Sequence, residues 1–332
     1  MRLCALLLVA FVAGIGFATE AKAEELLIYS GRNQALVGPV IKQFEKETGI
    51  KVTVRYGGSA QLATALMEEG ERSKADLFWS QDASTLGAVT EAGLLAPLDA
   101  KLADEVPSLF RNDSRYWVAT SGRARVLAYS SERVTADVLP ASVFDLTAPQ
   151  FKGKVGWAPT NGSFQTFVTA MRKVYGDEKT LAWLRGVKAN GAKAYRNNTA
   201  IAQAIADGEI DLGITNHYYL FRFKAADPNF PVEQTHFKDG DIGNMMMVAG
   251  IGRLKNAPNS EAANRFIAFV LSGKAQTYFT AAVFEYPMIS TVIANETLSD
   301  LESVVKRSPK LDLGDLSDLE GTTSLLRQAG LQ

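Results

Sequence analysis

Short β-type apolar runs alternate along this chain with stretches whose apolar positions recur at helical spacing. Leu26 to Ser30 reads as a strand. A helix follows from about Leu36 to Thr48, with Val37, Val40, Ile41 and Phe44 on its apolar face and Gly49 as its stop. Lys51 to Tyr56 alternates charge with valine as a second strand, and Gly57-Gly58-Ser59 then opens a helix from Gln61 to Glu69. Asp76 to Ser80 gives a third strand and Ser84 to Ala92 a further helix. The second half repeats the rhythm: strand Lys154–Ala158, helix Phe164–Val174, helix Thr199–Ala206 and strand Asp211–Thr215. Such βαβαβ order predicts a parallel sheet covered on both faces. Ser121 to Tyr129 is an extended run long enough to pass between two lobes. The pattern predicts an α/β fold of two lobes joined by crossing strands.

The residues just past each strand carry the candidate chemistry. The first strand runs into Gly31-Arg32-Asn33, the third into Gln81-Asp82, the next into Pro159-Thr160-Asn161-Gly162-Ser163, and the last into Asn216-His217-Tyr218-Tyr219. Carboxyl ends of parallel strands line the ligand crevice, and two of these clusters come from each half. A site built from them lies between lobes that close by hinge motion. Gly57-Gly58-Ser59, Asn161-Gly162-Ser163 and Asn197-Asn198-Thr199 each precede a helix. Each reads either as plain capping or as unpaired N–H groups offered to an anion. Arg32 offers a fork of donors to a bidentate anion. Tyr218 and Tyr219 are adjacent phenols, neutral near pH 7, which become hard oxygen donors when a highly charged cation displaces their protons. Ferric iron is such a cation; packing is the alternative use of two aromatics.

Composition narrows the classes. Arg2, the apolar run Leu3–Phe17 and Ala21-Lys22-Ala23 fit a secretory signal over residues 1–23, cleaved before Glu24. The lone cysteine, Cys4, falls inside it, so the exported chain would hold no disulfide. Removing Arg2, Lys22 and Glu20 moves the net charge from −1 to −2, and no basic stretch exists to neutralise phosphates, which excludes a nucleic-acid footprint. No later run reaches membrane length. Enzyme readings find no nucleophile elbow, Walker loop or His-Glu-x-x-His helix, and only two histidines, His217 and His236. His217 either ligates metal beside the tyrosines or points away from them. Met245-Met246-Met247 lies in a predicted strand and cannot aim three thioethers one way, so it reads as core.

These residues resemble the periplasmic ferric-ion-binding proteins of bacterial iron ABC transporters, the transferrin-like members of the two-lobed solute-binding class. The likeness runs through Leu27-Ile28-Tyr29-Ser30-Gly31-Arg32, Ala75–Ser80, Ser121–Val126, Pro159–Phe164, Asp207–Asp211, Asn216, Tyr218-Tyr219 and Glu285-Tyr286-Pro287. It implies a type II periplasmic binding fold, with residues 24–125 and 249–299 as the N-terminal lobe and 126–248 and 300–332 as the C-terminal lobe. It also implies Tyr218 and Tyr219 as the metal ligands. Asn33 and Gln81 stand where the family has histidine and glutamate, so two protein ligands are replaced by amides. Family anion contacts fall on Asp82, Asn161, Gly162, Ser163, Asn198 and Asn216. The expectation is a monomeric, non-enzymatic periplasmic protein that carries Fe(III) to an inner-membrane ABC permease. A carbonate, phosphate or carboxylate, held with Arg32, would complete the coordination. An organic-anion or phosphonate binder without metal is the alternative.

Overall fold

The structure, a computed structural model, describes residues 25–332; the expected signal segment lies outside them. Its strands are β1 (Glu25–Ser30), β2 (Lys51–Tyr56), β3 (Leu77–Ser80), β4 (Leu95–Ala96), β5 (Val118–Ser130), β6 (Val155–Trp157), β7 (Lys193–Ala194), β8 (Leu212–Asn216), β9 (Val232–Thr235) and β10 (Met246–Leu254). They join in the order β2-β1-β3-β10-β5-β8-β6-β7, with β4 on β10 and β9 on β5.

The sheet is mixed, which corrects the expected parallel arrangement. β1 is parallel to β2 and β3, and β6 is parallel to β7 and β8. β10 runs antiparallel to β3 and β5, and β5 antiparallel to β8 and β9. A strand buried on both faces has the same apolar pattern in either direction, so the sequence pattern does not encode this reversal. β5 spans both lobes. Its first part, through Ala124, pairs with β10, while Arg125 to Tyr129 pairs with β8. The Arg125 N–H donates to the Met245 carbonyl at 3.0 Å, so the two crossing segments are stitched together where they pass between lobes.

Helices cover the sheet as the periodicity predicts. The first, Gln34–Thr48, buries Val37, Val40, Ile41 and Phe44 and ends at Gly49, whose φ of 74° a side chain would resist. The helix Asn198–Ala206 lies close on β6 and β8 because Gly156 and Gly213 face each other in register there. A Cβ at Gly213 would stand 2.2 Å from the Ile201 Cγ2, and one at Gly156 2.4 Å from the Ile210 Cδ1. The run Met245–Met247 is buried in the core as expected. Among the described residues, no helix is long and apolar enough to cross a membrane.

Candidate functional site

The polar clusters after β1, β3, β6 and β8 converge on one cavity of about 540 Å³, joined there by the ends of β2 and β7. Of the residues singled out in the sequence, Arg32, Asn33, Gln81, Asn161, Gly162, Tyr218 and Tyr219 line it. Asp82, Ser163, Asn198 and Asn216 are buried and are not part of its lining. A larger cavity of about 740 Å³, bordered by Leu109, Phe110, Met246 and the chain around Pro309, carries neither a phenol nor a guanidinium.

Local capping explains much of this placement. The Asn33 Oδ1 accepts the Ala35 N–H at 2.9 Å and caps the first helix. The Asp82 Oδ1 accepts the Thr85 N–H at 2.9 Å and the Ser84 hydroxyl at 2.7 Å, capping the helix Ala83–Glu91. Its other oxygen lies behind Gly162, 3.5 Å from where a Cβ would stand. Asn161 caps Gly162–Tyr175, its Oδ1 accepting the Ser163 N–H at 3.1 Å and the Ser163 hydroxyl at 2.6 Å. Asn197 caps Asn198–Ala206, and Asn197 and Thr199, rather than Asn198, line the cavity. Ser59 does not cap its helix; its hydroxyl accepts the Gln81 N–H at 2.9 Å and ties the helix start to the end of β3.

Tyr218 and Tyr219 open the helix Tyr218–Ala226 directly after β8, rather than lying in a loop. Their rings stack with centroids 4.3 Å apart. Tyr219 is partly exposed, whereas Tyr218 is fully buried and its hydroxyl has no hydrogen-bond partner among the described residues. Burial pushes the Tyr218 phenol well above its ordinary pKa, reinforced by Tyr219 and Glu285 and opposed by Arg123 and Arg32. A buried hydroxyl left unpaired costs about 1–3 kcal/mol in stability.

Charged groups gather behind the phenols. The Arg32 Nη2 donates to the Glu285 carboxylate at 2.6 Å with both side chains fully buried, and its Nη1 donates to the Gln81 Oε1 at 3.2 Å. Arg32 is therefore already paired with a carboxylate that the family likeness marked only as part of a motif. Burial works against the Glu285 charge, yet Arg32 and Arg123 outweigh it and lower its pKa. Arg123 donates to the Gln81 carbonyl, and its Nε and Nη1 have no partner among the described residues. Arg125, also buried, donates to the Asn216 Oδ1 at 3.5 Å; burial and then Arg123 lower its pKa to about 9, still above neutral. Three buried arginines thus face two buried carboxylates, Asp82 and Glu285. Such an excess of positive charge favours anionic oxygen nearby.

His217 is positioned for structure. Its Nδ1 accepts the Ala124 N–H at 3.0 Å and its Nε2 lies 2.8 Å from the Phe284 carbonyl, an assignment that puts the proton on Nε2. Both ring nitrogens are engaged, so the ring pins β8 to β5 and is unavailable to a metal. Burial lowers its pKa to about 4. Three cavity residues escaped sequence reasoning: Tyr56, Arg196 and Arg222. Tyr56 ends β2 and Arg196 follows β7, the same strand-end signal used elsewhere, whereas Arg222 sits one helical turn after Tyr218. Among the described residues, no carboxylate lines the cavity.

The chain belongs to the bacterial extracellular solute-binding protein family, whose sequence profile matches residues 40–309. The major ferric iron-binding protein of Neisseria meningitidis is 34% identical over 327 residues, covering 96% of this chain and 97% of its own. An Fe(3+)-binding periplasmic protein of Serratia marcescens is 30% identical over 330 residues, 98% of this chain and 96% of that one. Among solved structures, iron-bound HitA from Pseudomonas aeruginosa superposes with a TM-score of 0.88 at 33% identity, over 93% of this chain and 100% of that one. The Trichodesmium protein in complex with iron and citrate gives 0.76 at 27% identity, over 93% and 100%. The two-lobed architecture and the resemblance to ferric-ion-binding proteins are thereby borne out.

Proposed function

We propose that this protein is the periplasmic substrate-binding component of a ferric-iron ABC transporter. In this reading it receives Fe(III) between lobes that divide at the crossing strands and passes it, as a monomer, to an inner-membrane permease. The observation that carries the reading is the buried Tyr218 hydroxyl, without a hydrogen-bond partner among the described residues, on a ring stacked against Tyr219 at the cavity wall. A ferric ion satisfies that oxygen as a phenolate and takes Tyr219 as a second donor. With about six positions to fill, two phenolates leave room for an exogenous anion. Asn33 and Gln81 are unsuited to the task, as the first is a helix cap and the second is bonded to Arg32. The iron-binding names of the relatives and the iron–citrate complex of the Trichodesmium protein support the same assignment. Titration with ferric citrate tests it: a visible phenolate-to-iron charge-transfer band should grow to one iron per chain.

A second reading draws on the cavity lining itself, which has Arg32, Arg196 and Arg222 and no carboxylate among the described residues. Such a lining suits an organic anion without metal. In that case the anion binds with equal affinity in the presence of a strong iron chelator, and no colour develops.

A further inference from the structure

Two helices that start at the cavity are also joined at their far ends. The helix Ala83–Glu91 follows β3 and Gly162–Tyr175 follows β6, one on each side of the crossing strands. Near the cavity the Ser84 and Thr166 hydroxyls, both buried, hydrogen-bond across the gap at 3.1 Å. Glu91 and Arg172 lie in the last turns, roughly 12–15 Å further along the helix axes. There two adjacent residues of the C-terminal segment take hold of both helices. The Ser317 hydroxyl donates to the Glu91 Oε1 at 2.5 Å. The Asp318 carboxylate accepts from the Arg172 Nη2 at 2.9 Å, and its backbone carbonyl accepts from Nη1 at 3.3 Å.

Packing strengthens this double hold. Leu313 and Leu316 are buried, and the turn Leu313–Asp315 lies on the helix Ala83–Glu91. Gly87 admits it: a Cβ there would stand 3.1 Å from the Ser317 Cβ and 3.3 Å from the Gly314 carbonyl oxygen. On the other side the helix Leu319–Gln328 packs on Gly162–Tyr175, where the Thr169 and Thr322 hydroxyls bond at 2.8 Å. Upstream the segment is fastened again, the Ser308 hydroxyl accepting the Met246 N–H of β10 at 2.8 Å. Between these anchors Pro309 to Asp312 border the cavity of about 740 Å³ together with Met246 and Phe110, so this span has room to shift while both ends stay fixed.

We infer that the C-terminal segment from Ser308 to Asp318 is a strap that limits how far the two halves part, and so sets the rate at which the cavity between them exchanges its cargo. A rotation that separates the helix starts breaks the Ser84–Thr166 bond, and a single hydrogen bond contributes little net stability. The clasp at the far ends, with two buried leucines and an ion pair, is the firmer contact and acts as the pivot. No residue of the strap lines the cavity of the tyrosine pair, so it acts on opening and not on the ligand. The inference rests on the hinge opening in the reading above, and a measurement of shape tests it without metal.

The full-length chain carrying Cys4→Ser, Gly87→Cys and Ser317→Cys provides the test. A disulfide needs Cβ atoms about 3.5–4.5 Å apart, within a few tenths of an ångström of the present approach. Small-angle X-ray scattering is recorded on the unloaded protein with the pair reduced and oxidised. Release to a chelator of iron loaded as ferric citrate is then timed in both forms. The oxidised form should be the more compact, and should release iron at least about tenfold more slowly than the reduced form. Gly87→Leu keeps a good helix former but pries the strap away, and should release iron about threefold faster than wild type. A pair that does not close under oxidant, an oxidised form as open as the reduced or as quick to release, or an unchanged rate in Gly87→Leu overturns the strap and leaves the ferric reading standing. A wild type whose radius of gyration is the same with and without iron does so too. If the wild type takes up no iron, the ferric reading falls and shape alone decides: a more compact oxidised form upholds the strap, and an equal one overturns it.

Discussion

In the ferric reading, the Tyr218 hydroxyl pulls stability and binding in opposite directions. It is buried without a partner among the described residues, so deleting it relieves an unmet hydrogen bond. Tyr218→Phe should leave the iron-free protein unchanged or stabilise it by about 1 kcal/mol, while greatly weakening ferric binding and its colour. Thermal melts with and without iron check both halves; a large loss of stability without iron would show that the oxygen has a structural partner. Tyr219→Phe should also lower the colour. His217 makes a different prediction. Its folded pKa is about 4, against about 6.5 unfolded, so between these values the unfolded chain holds a proton that the folded chain refuses. Stability from this residue is full above about pH 6.5 and falls by about 3 kcal/mol as pH drops to about 4. Denaturant melts at pH 7 and 4.5 should show that slope in the wild type and its loss in His217→Gln. The tyrosine pair was legible in the sequence because adjacency after a strand is a local property. The engagement of His217 was not, because its partners, Ala124 and Phe284, are remote in sequence.

At the level of elements, strand ends and helix starts place the site, and they were legible to within a residue or two. Local rules govern both: apolar period for the body, glycine or asparagine for the ends. The interlocking of neighbouring ends was not legible. Gly31, after β1, lies so close to Ser59 that a Cβ would meet its Oγ at 2.0 Å and its Cα at 3.0 Å. The serine hydroxyl in turn accepts the Gln81 N–H, so the end of β1, the helix start after β2 and the end of β3 meet at Ser59. Gly31→Ala should cost about 1–3 kcal/mol by forcing β1 and the helix Ser59–Glu69 apart. Because the residue adjoins Arg32, ferric affinity should fall with it. Urea unfolding checks the first half, and a change below about 0.5 kcal/mol would mean that the backbone relaxes freely there. Asp82 teaches the complementary lesson. Expected as a cleft contact, it fulfils the ordinary role of an acid at a helix start, and Asp82→Ala should cost about 1 kcal/mol through the lost cap.

For the whole molecule, the two-lobed plan was legible from alternating elements and one long extended run, whereas the antiparallel return of β10 depends on pairing between residues far apart in the chain. In the proposed function, the same long-range packing sets the chemistry of release. Closing the phenols away from water raises the Tyr218 pKa well above its ordinary value, so near neutrality its proton is present until a metal displaces it. In the ferric reading, iron and protons then compete throughout the neutral and acid range, and affinity should fall as pH falls. If both phenols ligate, about two protons leave the protein for each iron bound. Calorimetric titration in buffers of different ionisation enthalpy counts them, after subtracting the protons exchanged by the chelate itself. Tyr218→Phe should reduce the count by about one, because one displaced proton belongs to that oxygen. A wild-type count near zero, or an affinity that rises toward mildly acidic pH, would remove phenolate ligation and leave the arginine-lined cavity to the metal-free anion.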